Sequence, residues 1–175
     1  MPRLLVSLVV GSLCLIGCSP ATPPVSRVDE TKKKDEDEVK QGFKALQTAL
    51  KAKDADKIWT LLVKDSQDDA GRQAKAVKET YGKLSDKDKP AYEKKLGLTG
   101  QEVAEVTGKL YVKSTSFLRG EVDELKDSTL DKVVFTGDNA VVHYTEEHGD
   151  KEKLPAVREQ GQWRFAVPVP KALLP

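Results

Sequence analysis

The chain has 175 residues, of which 29 are lysine or arginine and 28 are aspartate or glutamate, so its formal net charge is +1. Charged residues make up 33% of the sequence and aromatic residues only 6%, which is typical of one well-solvated domain with a modest core. The balanced charge argues against recruitment by nucleic acid or by anionic lipid headgroups, and no nucleic-acid partner is expected.

An apolar run from Leu4 to Ile16 follows the short segment Met1-Pro2-Arg3 and leads to Cys18. The run has the length of a signal-peptide core and is shorter than the ~20 residues of a membrane-spanning helix. This favours a cleaved signal over an uncleaved anchor. The lack of an A-x-A-like site at its end disfavours a plain secretory signal that the general peptidase would cut.

The four residues Leu15-Ile16-Gly17-Cys18 resemble the lipobox of bacterial lipoprotein signal peptides. The resemblance implies that residues 1–17 are removed, that Cys18 becomes a lipid-modified first residue, and that the membrane is a partner through this lipid. Because Ser19 follows in place of aspartate, the expected location is the outer membrane, facing the periplasm. The other cysteine, Cys14, would leave with the signal, so no disulfide is expected in the mature chain.

Residues 18–35 are predicted to form a flexible tether, and residues 36–175 a single domain. Pro20, Pro23 and Pro24 oppose helix formation early in this segment. The charged run from Thr31 to Glu38 has no apolar face to bury, which indicates a solvated tether or the start of a helix.

The first half of the domain shows the apolar period of amphipathic helices. The predicted first helix runs from about Glu36 to Lys53, and Asp54 is the expected N-cap of a short second helix that contains Ile58 and Trp59. Two stripes at helical spacing define the first and third helices: Val39, Phe43, Leu46 and Leu50, then Ala70, Ala74, Val77 and Tyr81.

Capping signals define the next two helices. Ser85 or Asp86 is expected to cap the fourth helix, with Pro90 in its first turn and Gly97 just beyond its end. The capping box Thr99-Gly100-Gln101-Glu102 predicts a fifth helix from about Gly100. The expected apolar face of that helix is Val103, Val106 and Leu110, with Phe117 continuing it beyond Gly108.

From Thr129 onward the pattern changes to short β-branched or aromatic segments. The predicted strands are Thr129–Thr136, Asn139–Glu146, Lys153–Gln160 and Gln162–Val167. Turn residues separate them: Gly137-Asp138, then His148-Gly149-Asp150, then Gln160-Gly161. Helices first and an antiparallel meander afterwards indicate the α+β class.

Two sequence features together resemble the NTF2-like (SnoaL-like) superfamily over roughly residues 38–168. They are the helical segment Asp54-Ala-Asp-Lys-Ile-Trp-Thr-Leu-Leu and the final hairpin Glu159-Gln160-Gly161-Gln162-Trp163-Arg164-Phe165. The resemblance implies a cystatin-like cone, in which helices pack into the concave face of a curved antiparallel meander and one end often opens into a pocket. The extra helix in residues 69–128 departs from compact members of that family.

The resemblance also supplies the one catalytic candidate, because enzymes of this type use an inward-facing aspartate or histidine as a base. In this chain that candidate is His143, with Glu146 and Arg158 as possible companions on neighbouring strands. His143 shares a strand face with Val141 and Thr145. The alternative interpretation, a histidine on the solvated face of the sheet, is favoured.

No cofactor and no metal site are expected. The chain has no P-loop, no G-x-S-x-G and no H-E-x-x-H motif, and its two histidines lack ligand spacing. The candidates for lining an apolar ligand pocket are aromatic: Trp59, Tyr111, Tyr144 and Trp163. The same residues at the same spacing also fit an ordinary core between helices and sheet.

The sequence therefore predicts a lipid-anchored protein of the bacterial envelope whose soluble domain is a binding or interaction module. Its expected partner is an envelope protein or a small apolar ligand. The alternative is a lipid-tethered SnoaL-like enzyme, an isomerase, dehydratase or hydrolase, with His143 as its base. An exposed His143 and a filled cone would favour the module over the enzyme.

Overall fold

Helices precede strands along the chain. The computed structural model describes residues 27–173, with side chains from residue 31 onward. The helices are α1 (Arg27–Ala52), α2 (Ala55–Leu61), α3 (Lys64–Lys83), α4 (Lys89–Leu96), α5 (Gly100–Ala104), α6 (Gly108–Tyr111) and α7 (Glu121–Leu125). The strands are β1 (Thr129–Thr136), β2 (Asn139–Thr145), β3 (Lys151–Glu159) and β4 (Gln162–Phe165). The predicted α+β class is confirmed: helices pack on an open four-stranded antiparallel sheet.

Helix α1 carries the stripe that the sequence predicted, but it begins earlier than expected. The stripe residues Val39, Phe43, Leu46 and Leu50 are all buried. The helix starts at Arg27 and not near Glu36, so residues 27–35 of the predicted tether are helical. Ion pairs one helical turn apart, such as Lys40 with Glu36 at 2.6 Å, support the charged first part of α1, which has no apolar stripe. Residues 18–26 lie outside the described part of the chain.

The capping predictions for α2, for α5 and for the C-terminal end of α4 are confirmed, whereas the predicted cap of α4 at Ser85 or Asp86 is wrong because its N-cap residue is Asp88. The Asp54 carboxylate accepts a hydrogen bond from the Lys57 amide at 3.0 Å at the start of α2. Gly97 ends α4 with φ of 65°, in the left-handed conformation that favours glycine. Thr99 and Glu102 form the reciprocal capping box at the start of α5.

The single fifth helix predicted from Gly100 onward is wrong, because this region forms two short helices, α5 and α6. Helix α5 ends at Ala104, and Thr107 starts a new helix by accepting a hydrogen bond from the Leu110 amide at 3.2 Å. The apolar period runs across this break, since Val103 and Val106 are both buried. A periodic apolar stripe therefore did not distinguish one helix from two that share a core.

The strands form a meander in the order β1-β2-β3-β4, as the turn signals predicted. Gln160 and Gly161 both have positive φ, 51° and 79°, as a two-residue type I′ hairpin turn requires. Strand β1 contains a bulge at Asp131, because Leu130 pairs with Tyr144 while Lys132 pairs with His143. The bulge was not predicted.

One face of the sheet packs on the helices and forms the core. Phe43 of α1 lies between Tyr144 and Phe165, with ring centroids 5.9 Å and 6.3 Å away. A Cβ atom at Gly42 would lie 3.1 Å from the Phe165 ring, so α1 approaches β4 closely. This face of the sheet, called the inner face below, is filled by side chains of α1.

After β4, residues 166–173 run as an extended segment over the helices; we call them the C-terminal strap. Side chains of the helical layer bond its backbone at five points. Ser66 donates to the Val167 carbonyl, Tyr111 to that of Pro170 and Arg119 to that of Lys171, at 2.8, 2.8 and 2.6 Å. The Ala172 and Leu173 amides donate to Gln73 and Ser116 at 2.9 and 3.0 Å.

None of the helices within residues 27–173 is both long enough and apolar enough to cross a membrane.

Candidate functional site

The face of the sheet opposite the core carries no helix in the described structure, and we call it the outer face. Its side chains form rows across the strands because the register places them directly opposite one another. One row is apolar and consists of Val134, Val141 and Pro155. Val134 is 42% exposed and is the most exposed large apolar side chain of the described residues.

The next row is cationic. Lys132 of β1, His143 of β2 and Lys153 of β3 lie directly opposite one another. Neither lysine forms an ion pair with another described residue, and the groove beside them continues to Lys151. The nearest acid on β1, Asp131, accepts a hydrogen bond from the Thr145 hydroxyl at 2.8 Å. The outer face therefore combines an apolar row with a row that carries two lysine charges, which favours an acidic partner.

His143 lies on this outer face and is partly exposed, which is the arrangement that the sequence favoured. It is not brought together with its predicted companions. Arg158 lies on the opposite face of the sheet, toward the other end of β3. Glu146 follows β2 and is buried. Neither of the two predicted companions, Glu146 and Arg158, therefore lies beside the His143 imidazole to exchange a proton with it.

Of the four aromatic candidates for a ligand pocket, Tyr111, Tyr144 and Trp163 are buried in the core and Trp59 is partly buried against it. Tyr111 packs on Phe117 in the helical layer, and Trp59 packs beside Gly108. Tyr144 and Trp163 both lie on the inner face, where Trp163 packs edge-to-face on Phe135 at 5.7 Å. They do not form a shared cavity. The prominent grooves of residues 27–173 are open at the surface. Of the four candidates, Tyr144 alone lines one of them, the groove beside Lys132 and His143.

Burial determines the ionisation of two of these tyrosines. Burial raises the pKa of Tyr111 to about 12 and that of Tyr144 to about 12, with nearby glutamates adding to the rise at Tyr144. Both phenols are therefore neutral at physiological pH. The Tyr111 hydroxyl is already used in the bond to the strap.

Arg158 has a structural role that the sequence did not indicate. Its guanidinium contacts Asp35 and Glu38 of α1, both at 2.7 Å, and lies 5.1 Å from the centroid of the Trp163 ring. The two acids and the aromatic face hold the side chain from three directions. Arg158 thus fixes the charged first part of α1 against the sheet.

Glu146, which the sequence offered as a companion of His143, is a buried acid, and this burial was not predicted. Only 8% of its surface is exposed, and its Oε1 atom has no hydrogen-bond partner among the described residues. Burial raises the pKa of Glu146 to about 7, and a hydrogen bond that the protonated Glu146 carboxyl donates to Glu124 adds to the rise, as do the charges of Glu124, Glu152 and Asp150. In the sequence, the available indication of this burial was that Glu146 directly follows a strand with alternating apolar positions. Alternation does not show which other acids lie near Glu146.

Metal binding has no prepared site in the described part of the chain. Among residues 27–173, no group of three histidine, cysteine, aspartate or glutamate side chains lies in positions that would hold an ion. The acids around Glu146 raise its pKa and do not form a coordination shell.

Comparisons with known proteins return no relative: no family model, no curated protein and no solved structure matches the chain.

Proposed function

We propose that this chain is a lipid-anchored protein of the bacterial envelope whose domain is a binding module, and that it binds its partner on the outer face of the sheet. The observation that supports this proposal is the difference between the inner and outer faces of the sheet. The inner face is filled by α1, whereas the outer face presents apolar and cationic rows to solvent. A partner protein, more than a small apolar ligand, suits a flat surface of this kind.

The proposal includes an NTF2-like arrangement of the domain. Support comes from the helices that precede the meander and from α1, which packs on the inner face between Tyr144 and Phe165. The lipid anchor and the outer-membrane location rest on the motif at Cys18 and on Ser19, which lie outside the described residues. The position of residues 1–17 as a signal peptide rests on the same motif.

The enzyme alternative, with His143 as a general base, has less support from the geometry. A base needs a substrate held within hydrogen-bond reach and usually an enclosed site. His143 lies in an open groove between two lysines on the outer face. We therefore favour the binding module.

The anchor is tested on the membrane fraction of a bacterium that expresses the full chain. We expect intact-mass measurement to show an acylated chain that starts at Cys18, and Cys18→Ser to abolish the lipid and release the protein from the membrane. A soluble product of the unmodified chain, cut at another residue, would contradict the anchor.

The binding surface is tested with a photo-reactive benzoylphenylalanine at position 153 on the outer face. The matched control places it at exposed position 78 on α3. We expect one defined partner protein to be crosslinked from position 153 and not from position 78. The purified partner should then bind the unmodified protein and bind the Lys153→Glu variant at least several-fold more weakly. Equal products from both positions, or no product from 153, would contradict the proposal.

A further inference from the structure

The two edges of the sheet differ in whether their backbone is covered. At β4, the segment after α2 covers the edge: Leu62 bridges Phe165, and the Val63 amide donates to the Phe165 carbonyl at 3.1 Å. At β1, the described residues provide no neighbouring strand other than β2. Strand β1 is therefore the open edge of the sheet.

The register shows which backbone groups this edge presents. Thr136 and Asn139 close the two-residue turn, so they form a hydrogen-bonded pair, and the pairs alternate along the ladder. Val134 and Lys132 then bond to β2, whereas Val133 and Phe135 direct their N–H and C=O groups away from the sheet. No hydrogen bond outside the sheet uses the backbone of Val133 or Phe135 in the described structure. Two amides and two carbonyls are free to pair with an added strand.

The side chains of β1 are those of a strand that lacks a neighbour. No residue of β1 is fully buried, although Val133 and Phe135 face the core. On the outer face, Val134 is 42% exposed and Lys132 is unpaired. Edge strands are usually protected by bulges and lysines, and here the bulge at Asp131 limits any added strand to residues 132–136. The stretch of β1 that can accept a further strand is therefore short, and it combines apolar side chains with one lysine.

The cationic row decides the sign of the charge that an added strand should carry. A residue placed opposite Lys132 on the outer face would extend the row of Lys132, His143 and Lys153 to a fourth position. An acid there lies directly beside Lys132, with His143 and Lys153 one and two strands further away, whereas a base is repelled by Lys132. Residues placed opposite Val133, Val134 and Phe135 would contact apolar side chains.

We propose that the open edge of β1 receives an extended peptide of a partner protein as a fifth strand, with an acidic residue opposite Lys132 and apolar residues opposite Val133, Val134 and Phe135. This proposal rests on the proposed function as a binding module and specifies where and in what conformation the partner binds. Backbone pairing supplies affinity, and the alternating side chains supply specificity.

A second copy of this chain fits the edge less well than such a peptide. If two β1 strands paired antiparallel about Val133, Lys132 would lie opposite the valine at position 134 of the other copy. If they paired about Val134, it would lie opposite the threonine at position 136. In neither register does an acid meet Lys132. Charge therefore favours a different protein over self-association through this edge.

The test titrates the 15N-labelled full chain in detergent micelles with the capped peptide Thr-Val-Ile-Val-Glu-Thr. In an antiparallel pairing its glutamate lies opposite Lys132. We expect the peptide to shift the amide signals of Val133 and Phe135 and to slow their hydrogen exchange. Replacing its glutamate with lysine, or methylating the backbone nitrogens that would pair, should weaken binding by about ten-fold or more.

Two protein variants complete the test. Lys132→Glu should weaken binding of the glutamate peptide and strengthen binding of the lysine peptide. Lys78→Glu, on the exposed face of α3, should leave the affinity for both peptides unchanged. Both variants alter surface residues and should keep the unbound spectrum, so a loss of binding is not a loss of folding.

Three results would overturn the proposal: no binding at millimolar peptide, signal changes confined to residues outside β1, or equal effects of Lys132→Glu and Lys78→Glu. A different result would be protection of the Val133 and Phe135 amides without peptide, to a degree that rises with protein concentration. That result would show that a second copy of the chain, and not a peptide, pairs with the edge. If position 153 crosslinks a partner but the peptide does not bind at β1, the proposal of a binding module is retained and the proposal of an added fifth strand is refuted.

Discussion

The buried acid Glu146 gives a stability that depends on pH with a definite sign. Its pKa in the folded protein, about 7, lies above the ordinary 4.5, so between these values the folded state binds more protons at this site than the unfolded state. Protonation of Glu146 therefore favours the folded state at low pH. The free energy of unfolding falls as the pH rises from about 4.5 to about 7, and above pH 7 this site lowers it no further. Paired carboxylates with lowered pKa values, such as Glu102, act in the opposite direction and at lower pH.

The size of the effect follows from the same shift. A rise from 4.5 to about 7 corresponds to about 3 kcal/mol if the whole shift opposes folding. Glu146 lies just beneath the surface in the loop after β2, where water and salt can relieve part of that cost. We therefore expect Glu146→Gln to stabilise the protein by about 1–2 kcal/mol at pH 8 and to have little effect at pH 5. The amide also mimics the protonated acid by donating to Glu124.

The assay is urea unfolding at pH 5 and pH 8, with Glu147→Gln as the control because Glu147 is an exposed acid of the same loop. The control should change the free energy of unfolding by similar small amounts at both pH values. If Glu146→Gln has the same effect at pH 5 and pH 8, Glu146 is ionised throughout and the reasoning from burial is refuted. A changed slope with urea would signal an altered unfolded state instead.

Three further predictions concern packing. Trp163→Ala should cost about 3–5 kcal/mol in chemical denaturation, because it removes a core aromatic; a loss below about 1 kcal/mol would show that the site collapses without it. His143→Gln should cost less than about 1 kcal/mol, because the residue lies on the outer face; a cost equal to that of Trp163→Ala would return the enzyme hypothesis. Gly108→Ala should lower the melting temperature by overpacking, at a cost of about 1–3 kcal/mol, because its Cβ would lie 2.8 Å from the Gly71 nitrogen. Gly82→Ala, with nothing within 4 Å, should instead be neutral or stabilising, and equal effects of the two would refute the steric argument.

Local chemistry was enough to predict most of the fold. The hairpin turns, the cap at Asp54 and the capping box at Thr99 involve residues within a few positions of one another, and each forms as expected. The errors arose where distant contacts decide. The first part of α1 has no apolar stripe, and its helix is held to the sheet by Arg158 of β3.

The outer face shows the same division between local and distant effects. Alternation along β2 was enough to place His143 on the face opposite Ala140 and Val142. Lys132 lies opposite His143 because the register runs without interruption from the pair Thr136–Asn139 at the turn, and the bulge at Asp131 changes the pairing only beyond Lys132. The cationic row therefore depends on pairing between strands as well as on alternation along each strand.

The C-terminal strap has a consequence for when the domain can fold. Its bonds join residues far apart in the chain, since Ser66 and Val167 are separated by 101 positions and Gln73 and Ala172 by 99. Contacts of such long sequence separation slow folding, because a long loop must close before they form. If residues 166–173 are absent, Tyr111 and Ser66 lack these partners, so the helical layer is completed only once the strap has docked. For the exported lipoprotein proposed above, late closure of this kind would prolong the unfolded state that crossing a membrane requires.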